Sequence, residues 1–547
     1  MLTIIDDRIE SISNNYGRAV PDDYCMQDII GHIHALMPMR DAARAACISH
    51  GFLRSWRCYP RLDFDMDTLG FLKLEDPFFD DDDSTRFEEV LPIIEDQIRR
   101  GVITTVEEYF KMNNPLIREF AARVDHIMQH HSGTGLKTFR VRPPHGFYIR
   151  PATIDRWVRA AITLGTITAF ELLLDMGVDI DEDGKIVGRY YCFPCSLLSS
   201  KTITSFSLSG CILNSVHTAG CLPSLTRLRL QNVRVTSEEL GRFLSSTCPA
   251  LEQLEISVWD DMVCLKIPRL LSRLKLLRVR NNINNSCLQM VECDAPKLKS
   301  FGYVGTPTIH VSLGPSVREM QMSCGMGDGP AGGMLFYATT KLPSIAPNLL
   351  SLYLASCFEV ADTPMPLDKF RRLKCLEIHL DRPTRCPDYD FYSLVSFLDA
   401  SPALDTFILC LEMPDASMPE SIPYGDSTTH KRQCHCKLKK VVISGFYLAK
   451  GMVELTSHIL ENAASLKHLI LDTTYGCDRK HNCKTRGCLP FTVAGLLEAR
   501  KAVDVIKRYI KGKVPSSVKF DVIEPCTKCH TDAGCRPNYS LEPIYGQ

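Results

Sequence analysis

The sequence predicts an α/β chain in which a short all-helical module precedes an irregular leucine-rich-repeat solenoid. Three observations predict it. Amphipathic helical patterns fill the stretch from Asp28 to Trp56. The phrase apolar, two residues, apolar, one residue, apolar then returns from Leu136 to Leu466. Helical patterns recur between the copies, as a strand-and-return repeat requires. Composition agrees with a large core: of 547 residues, 45% are hydrophobic and 23% charged, the ordinary balance of a globular protein. The 63 Lys+Arg against 64 Asp+Glu leave a net charge of -1, without the basic surplus that marks a nucleic-acid binder. No window offers the roughly 18 apolar residues of a membrane span. The N-terminus is acidic from Asp6 and lacks the basic-then-apolar plan of a secretory leader. The 24 cysteines are dilute, and several, such as Cys264, Cys357 and Cys375, sit inside Leu/Val patterns. They read as reduced thiols packed as small hydrophobes in an intracellular protein.

Residues 1–24 carry no period and read as a tail. Asp28 is placed to cap a helix on which Ile29, Ile33 and Leu36 share a face, with Ile30 and Met37 beside them. Pro38 ends that helix. Asp41 offers a second cap, and Ala42, Ala45, Ala46, Cys47, Phe52, Leu53 and Trp56 form the apolar stripe of a second helix. Two helices of this length cannot hide their own apolar faces. Periodicity alone leaves two destinations open, the interior of the chain or the surface of a partner.

The residues from Asp28-Ile29-Ile30-Gly31-His32-Ile33 through Leu36-Met37-Pro38-Met39-Arg40-Asp41 to Phe52-Leu53-Arg54-Ser55-Trp56-Arg57 resemble the F-box of plant F-box/leucine-rich-repeat proteins, especially the large grass group. The resemblance implies a module, residues 25–64, that docks on a Skp1-like adaptor and through it a cullin-RING ubiquitin ligase, while the remaining chain selects an unknown protein substrate. It implies no catalysis by this chain, no cofactor, and no nucleic-acid or membrane partner; nucleus and cytoplasm both stay open as compartments. The adaptor contacts it implies are Met26, Ile29, Ile30, Ile33, Leu36, Pro38, Met39, Ala42, Cys47 and Trp56. Family members carry Leu-Pro ahead of the first helix where this chain has Cys25-Met26; Met26 offers apolar contact without the fixed φ of proline. The rival reading is a repeat scaffold that binds proteins but recruits no ligase.

Residues 65–130 read as an acidic linker with transition helices, because the four successive aspartates Asp80 to Asp83 repel one another and stay solvated. They lack the spaced ligands and central glycine of a calcium loop. The solenoid follows over 131–433. Among its copies are Leu136/Phe139/Val141, Ile203/Phe206/Leu208, Leu225/Leu228/Leu230, Leu251/Leu254/Ile256, Leu274/Leu277/Val279 and Leu349/Leu352/Leu354. Thirteen copies advance in twelve steps averaging about 27.5 residues, inside the roughly 20–29 of leucine-rich repeats. Each copy is expected to be a strand whose alternate residues face inward, followed by a helix or loop that returns the chain. Thr236 to Leu244 reads as a capped helix between two copies. The residues between the inward positions then form a wall for a protein partner or merely keep the surface soluble: Arg227, Arg229, Gln253, Glu255, Lys275 and Arg278.

Residues 434–530 continue the pattern through Leu438/Val441/Ile443 and Leu466/Leu469/Leu471, with a helix from about Gly495 to Ile510 and a final strand at Val518–Val522. That order is similar to the FBD-type C-terminal module of plant F-box proteins and is expected to cap the solenoid; 531–547 is a tail. Cys526, Cys529 and His530 have the short spacing of half a zinc site, with no spacing that fixes the other half. Ordinary thiols are the better reading there. Phosphate loops, zinc-protease helices and nucleophile elbows are absent from the sequence.

Overall fold

The computed structural model describes residues 23–71, 115–144, 149–163, 166–174, 177–180, 186–213, 220–258, 262–281, 288–324, 333–357, 359, 363–365, 368–380, 389–411, 434–474 and 493–525. The acidic run at Asp80–Asp83, the glycine-rich stretch ahead of Gly333, and Cys526, Cys529 and His530 lie outside the described residues. The chain divides into two compact units, one running to Met262 with Pro268–Leu274, the other comprising Val263–Ile267 and the residues from Lys275 onward.

The first unit opens with three helices where the sequence predicts two: α1 (Asp23–Leu36), α2 (Met39–Ala46) and α3 (His50–Trp56). Ser49 causes the extra break. It sits in extended backbone and its side chain accepts the Gly51 N–H, which caps a new helix instead of continuing the old one. The start of α2 is set by Pro38, not by Asp41, which lies in the first turn and there favours the positive end of the helix dipole. Likewise α1 begins at Asp23, ahead of the expected Asp28 cap, since nothing from Asp23 to Gly31 interrupts a helix.

What holds the helices together is largely polar at its centre. His34 is fully buried, its Nε2 lies 2.8 Å from the Ala42 carbonyl, and its ring meets Phe52 edge-on at 5.2 Å. The last carbonyls of α1, which no helical N–H can satisfy, accept from the next segment: the Tyr59 hydroxyl donates to Met37 O at 2.7 Å and the Arg61 guanidinium to Ala35 O at 2.6 Å. Tyr59 and Arg61 thereby join the helical module to the first strand of the repeat sheet.

That strand, Arg61–Phe64, pairs in parallel with Thr138–Val141, and the ladder continues through Ala169–Leu173, Ser205–Ser209, Arg227–Gln231 and Gln253–Val258. Register aligns two buried columns: Leu62, Phe139, Phe170, Phe206, Leu228 and Leu254, and beside it Phe64, Val141, Leu172, Leu208, Leu230 and Ile256. These are the inward positions of the repeated phrase. Phe139 stacks on Phe170 at 5.7 Å and Phe170 on Phe206 at 5.3 Å. Helix Ser237–Thr247 returns the chain between two of these strands, and it carries a full capping box: Thr236 accepts the Glu239 N–H while the Glu239 carboxylate accepts the Thr236 N–H. Thr236→Ala is expected to lower stability by about 1 kcal/mol, read as a shift in the denaturant midpoint; a midpoint unchanged within error contradicts the cap.

One buried and one half-buried histidine, His34 and His131, are expected to make this unit acid-sensitive. His131 lies with Nε2 2.9 Å from Tyr59 O and accepts the Gly133 N–H on Nδ1 at 2.9 Å, so it is held neutral. Burial lowers the pKa of His34 and of His131, against the opposing pull of each carbonyl contact. The unfolded chain takes up protons near the ordinary value of 6.5 where the folded chain does not. Stability is therefore full above that value and falls as pH drops below it. A thermal midpoint that stays level between pH 7 and pH 5 would contradict this; a fall that shrinks in His34→Gln supports it.

The second unit holds its own parallel ladder, from Leu276–Asn281 through Ser300–Val304, Glu319–Ser323, Ser351–Ser356, Cys375–Leu380, Thr406–Leu411, Lys440–Ser444 and His468–Asp472 to Lys519–Ile523. Its inward columns are again buried along their length, until the final strand, whose Phe520 and Val522 are only half-covered. The early repeats return through strands where a helix or loop was expected: Cys264–Ile267, Met290–Cys293 and His310–Leu313 form a separate three-stranded parallel sheet. Repeat steps of 24 and 19 residues, from Leu274 to Leu298 to Val317, leave too little chain for a helix of ordinary length. The longer steps restore helices, Met334–Ile345, Val395–Ala400, Lys450–Asn462 and Val493–Val505. Gly445 follows its strand with φ 72°, and a Cβ there would stand 1.9 Å from Leu411 O, so only glycine fits.

Candidate functional site

Helix α1 carries two different apolar faces. Ile30 and His34, four residues apart, turn toward the module, half-buried and buried, and Met37 just past the helix end is half-buried. Ile29, Ile33 and Leu36, spaced i, i+4, i+7, lie about 100° round the helix and face solvent, 51%, 47% and 71% exposed. Ile48, in the break between α2 and α3, is 84% exposed. A β-branched or γ-branched side chain left this open gains little for the fold.

The adaptor-contact set implied by the sequence divides accordingly. Ile29, Ile33, Leu36 and Pro38 are exposed, while Ile30 and Cys47 are half-buried. Met39, Ala42 and Trp56 are buried within the chain. Met39 Sδ accepts the Asp63 N–H at 3.2 Å, Ala42 O faces His34, and the Trp56 ring lies 5.4 Å from Tyr59. Their positions close the helical module onto the first strand. Met26 falls on α1, its side chain outside the described residues.

In the first unit, the ladder face opposite the core carries charged residues in register, Asp63, Arg140 and Glu171, then Arg229 and Glu255, with the buried Ser207 between the two groups. Arg140 bridges its neighbours, Nη1 to Asp63 at 3.1 Å and Nε to Glu171 at 2.7 Å, and Arg229 meets Glu255 at 3.3 Å. Of the expected wall residues, Arg227 stands beside Gln253 and Arg229 beside Glu255 as cross-strand neighbours, and the charges of Arg229 and Glu255 compensate one another. The Asp63–Arg140–Glu171 group was missed at the sequence level. In the second unit, Lys275 and Arg278 are exposed, and the Arg278 stem lies over Gly302, where a Cβ would come within 3.2 Å of it. Farther along, the same face changes character. Tyr353, Glu377, Ile408, Val442 and Ile470 stand in register and half-buried, and Tyr353 lies 4.8 Å from the His379 ring. Ile408, Val442 and Ile470 give this stretch an apolar strip that the charged column of the first unit lacks.

The described cysteines are free thiols. Burial pushes Cys195 and Cys293 up to about 11 and Cys248 to about 12, so these remain protonated packing groups. Cys324 goes the other way, because the Cys357 thiol hydrogen-bonds to it and the Cys357 N–H donates to its Sγ at 2.6 Å; its side chain is buried, which keeps it from reacting with a substrate in solution. No helix among the described residues is long and apolar enough to cross a membrane.

Residues 127–527 match the family described as At1g61320/AtMIF1, LRR domain. The chain belongs to that leucine-rich-repeat family. The match takes in the strands from Thr138–Val141 to Lys519–Ile523 and leaves out the helical module and strand Arg61–Phe64. Among curated proteins, the chain is similar to the F-box/FBD/LRR-repeat protein At3g52680 of Arabidopsis thaliana, 33% identical over 131 residues, which is 24% of this chain and 26% of the relative. It is also similar to the F-box/FBD/LRR-repeat protein At1g78750 of the same plant, 30% identical over 186 residues, 33% of this chain and 38% of the relative. The aligned segments thus span between about a quarter and two-fifths of these relatives.

Proposed function

We propose that this chain is the non-catalytic substrate-recognition subunit of a Skp1–cullin–F-box type ubiquitin ligase. The helical module binds a Skp1-like adaptor, and the repeat ladders hold a protein substrate. The observation that carries the reading is the solvent-facing set Ile29, Ile33 and Leu36, placed on the segment that resembles an F-box. The relatives' printed names, which include F-box, FBD and leucine-rich repeat, support it. Chemically the chain contributes proximity: tethering converts an encounter between substrate and ubiquitin-loaded enzyme into a quasi-intramolecular reaction. The half-buried apolar strip Ile408, Val442 and Ile470 suits a substrate segment that brings apolar side chains.

Size-exclusion chromatography with light scattering tests the reading. The full chain mixed with a Skp1-type adaptor and the N-terminal part of a cullin is expected to elute as one stoichiometric ternary complex. Elution of the chain by itself at micromolar concentration contradicts the ligase role and leaves the scaffold reading.

A further inference from the structure

In the second unit, three ligating side chains from two successive repeats converge away from the ladder. Asp399 ends helix Val395–Ala400, His435 leads into strand Lys440–Ser444, and His458 lies on helix Lys450–Asn462. Their donor atoms all fall within 4.8 Å of one another. The Nε2 atoms of His435 and His458 face each other at 3.1 Å, and Asp399 Oδ1 lies 3.8 Å from His435 Nε2. Bonds of about 2.0–2.1 Å to a tetrahedral zinc ion place ligand atoms about 3.3 Å apart, so the cluster needs only a small contraction at the carboxylate to meet that geometry.

The surroundings fit a cation as well. The His435 side chain is 5% exposed and that of Asp399 13%, so the donors are already stripped of most water. The far nitrogen of His458, Nδ1, lies 3.4 Å from the Tyr392 hydroxyl, while the Asn462 amide donates to the His458 carbonyl at 2.8 Å. With Nδ1–H donating to the hydroxyl, Nε2 is left to the metal. A small cavity opens beside His435, lined by Ser401, Lys437 and Leu438. The Ser401 hydroxyl in its lining, 3% exposed, has no hydrogen-bond partner, so the cavity suits a water.

We infer that Asp399, His435 and His458 form a binding site for a zinc-class divalent cation that clamps helix Val395–Ala400 to helix Lys450–Asn462. Two imidazoles and one carboxylate favour this class over magnesium or calcium, which take oxygen ligands. The other mixed cluster, Glu377, His379 and Cys410, is a weaker candidate, since Glu377 and His379 already satisfy each other at 2.7 Å.

Cobalt(II) titration of the chelator-stripped full chain tests the site, because cobalt reports its ligands by colour. The expected result is one equivalent with visible ligand-field bands of tetrahedral nitrogen/oxygen type and no near-ultraviolet thiolate-to-cobalt band. His435→Gln and His458→Gln are each expected to bind zinc at least tenfold more weakly, with unchanged circular dichroism, while Glu377→Gln binds as the parent does. Asp399→Asn, which preserves side-chain volume, serves if a histidine variant does not fold. Zinc is also expected to raise the thermal midpoint of the parent and not of these variants. Absence of the nitrogen/oxygen bands, a purely thiolate spectrum, or undiminished affinity in the folded variants overturns the site.

Discussion

Exchanging Ile33 and Leu36 for glutamate is expected to weaken the complex with a Skp1-type adaptor by a factor on the order of a thousand. Covering an aliphatic side chain of this size contributes about 1.5–3 kcal/mol. Two such losses amount to about 4 kcal/mol, and each 1.4 kcal/mol is tenfold in affinity. The added carboxylates make the loss larger, since a partner that buries them must strip their water or leave them unpaired. The fold itself is spared: Ile33 and Leu36 are 47% and 71% exposed, glutamate is a good helix former, and exposed substitutions of this kind change stability by only about 0.5 kcal/mol. Met39 provides the contrast. It is buried against the first strand, so Met39→Glu is expected to unfold the module as well as abolish binding. Calorimetric titration beside thermal unfolding separates the two. A double glutamate variant that binds as tightly as the parent removes α1 from the interface.

The largest expected loss of stability is at Phe170. Its ring is fully buried, stacked between Phe139 and Phe206, and met edge-on by Phe193 at 6.2 Å. Phe170→Ala opens a hole in the middle of a column that no single repeat can close, so the cost falls at the large end, about 3–5 kcal/mol. Because each repeat is stabilised mainly by its neighbours, the defect is expected to appear as early unfolding of the first unit in a urea titration. A loss below about 1 kcal/mol would mean that the aromatic column is not what holds these repeats together.

The repeat ladders were legible in the sequence because their signal is doubled. The phrase fixes both an alternation, which selects the inward face, and a spacing, which selects parallel stacking. Leu228 and Leu254, or Leu354 and Ile378, occupy matching places in the phrase and turn out to be register partners. The first strand escaped notice even though it obeys the same phrase: Tyr59, Leu62 and Phe64 stand at the required intervals and are buried. Directly after a helical pattern they read as its tail. The strand returns at Cys264–Ile267 and Met290–Cys293 were hidden for a different reason, since four residues are too short a window for alternation to stand out.

The candidate surfaces were only partly legible. Periodicity placed Ile29, Ile33 and Leu36 on one face, but it cannot say which of two apolar faces the chain covers. His34 decides that by reaching the Ala42 carbonyl, a contact between segments whose relative placement the sequence does not encode locally. Charge compensation between Arg229 and Glu255 likewise depends on register, and the convergence of Asp399, His435 and His458 spans 59 positions of chain.

Hydrogen exchange of the full chain, with and without a saturating Skp1-type adaptor, shows which surface the adaptor covers. Slowed exchange is expected only in α1 and in the break around Ile48, with strands from Thr138–Val141 to His468–Asp472 unchanged. Protection that falls on the ladders instead, or that is absent everywhere, would contradict docking through α1.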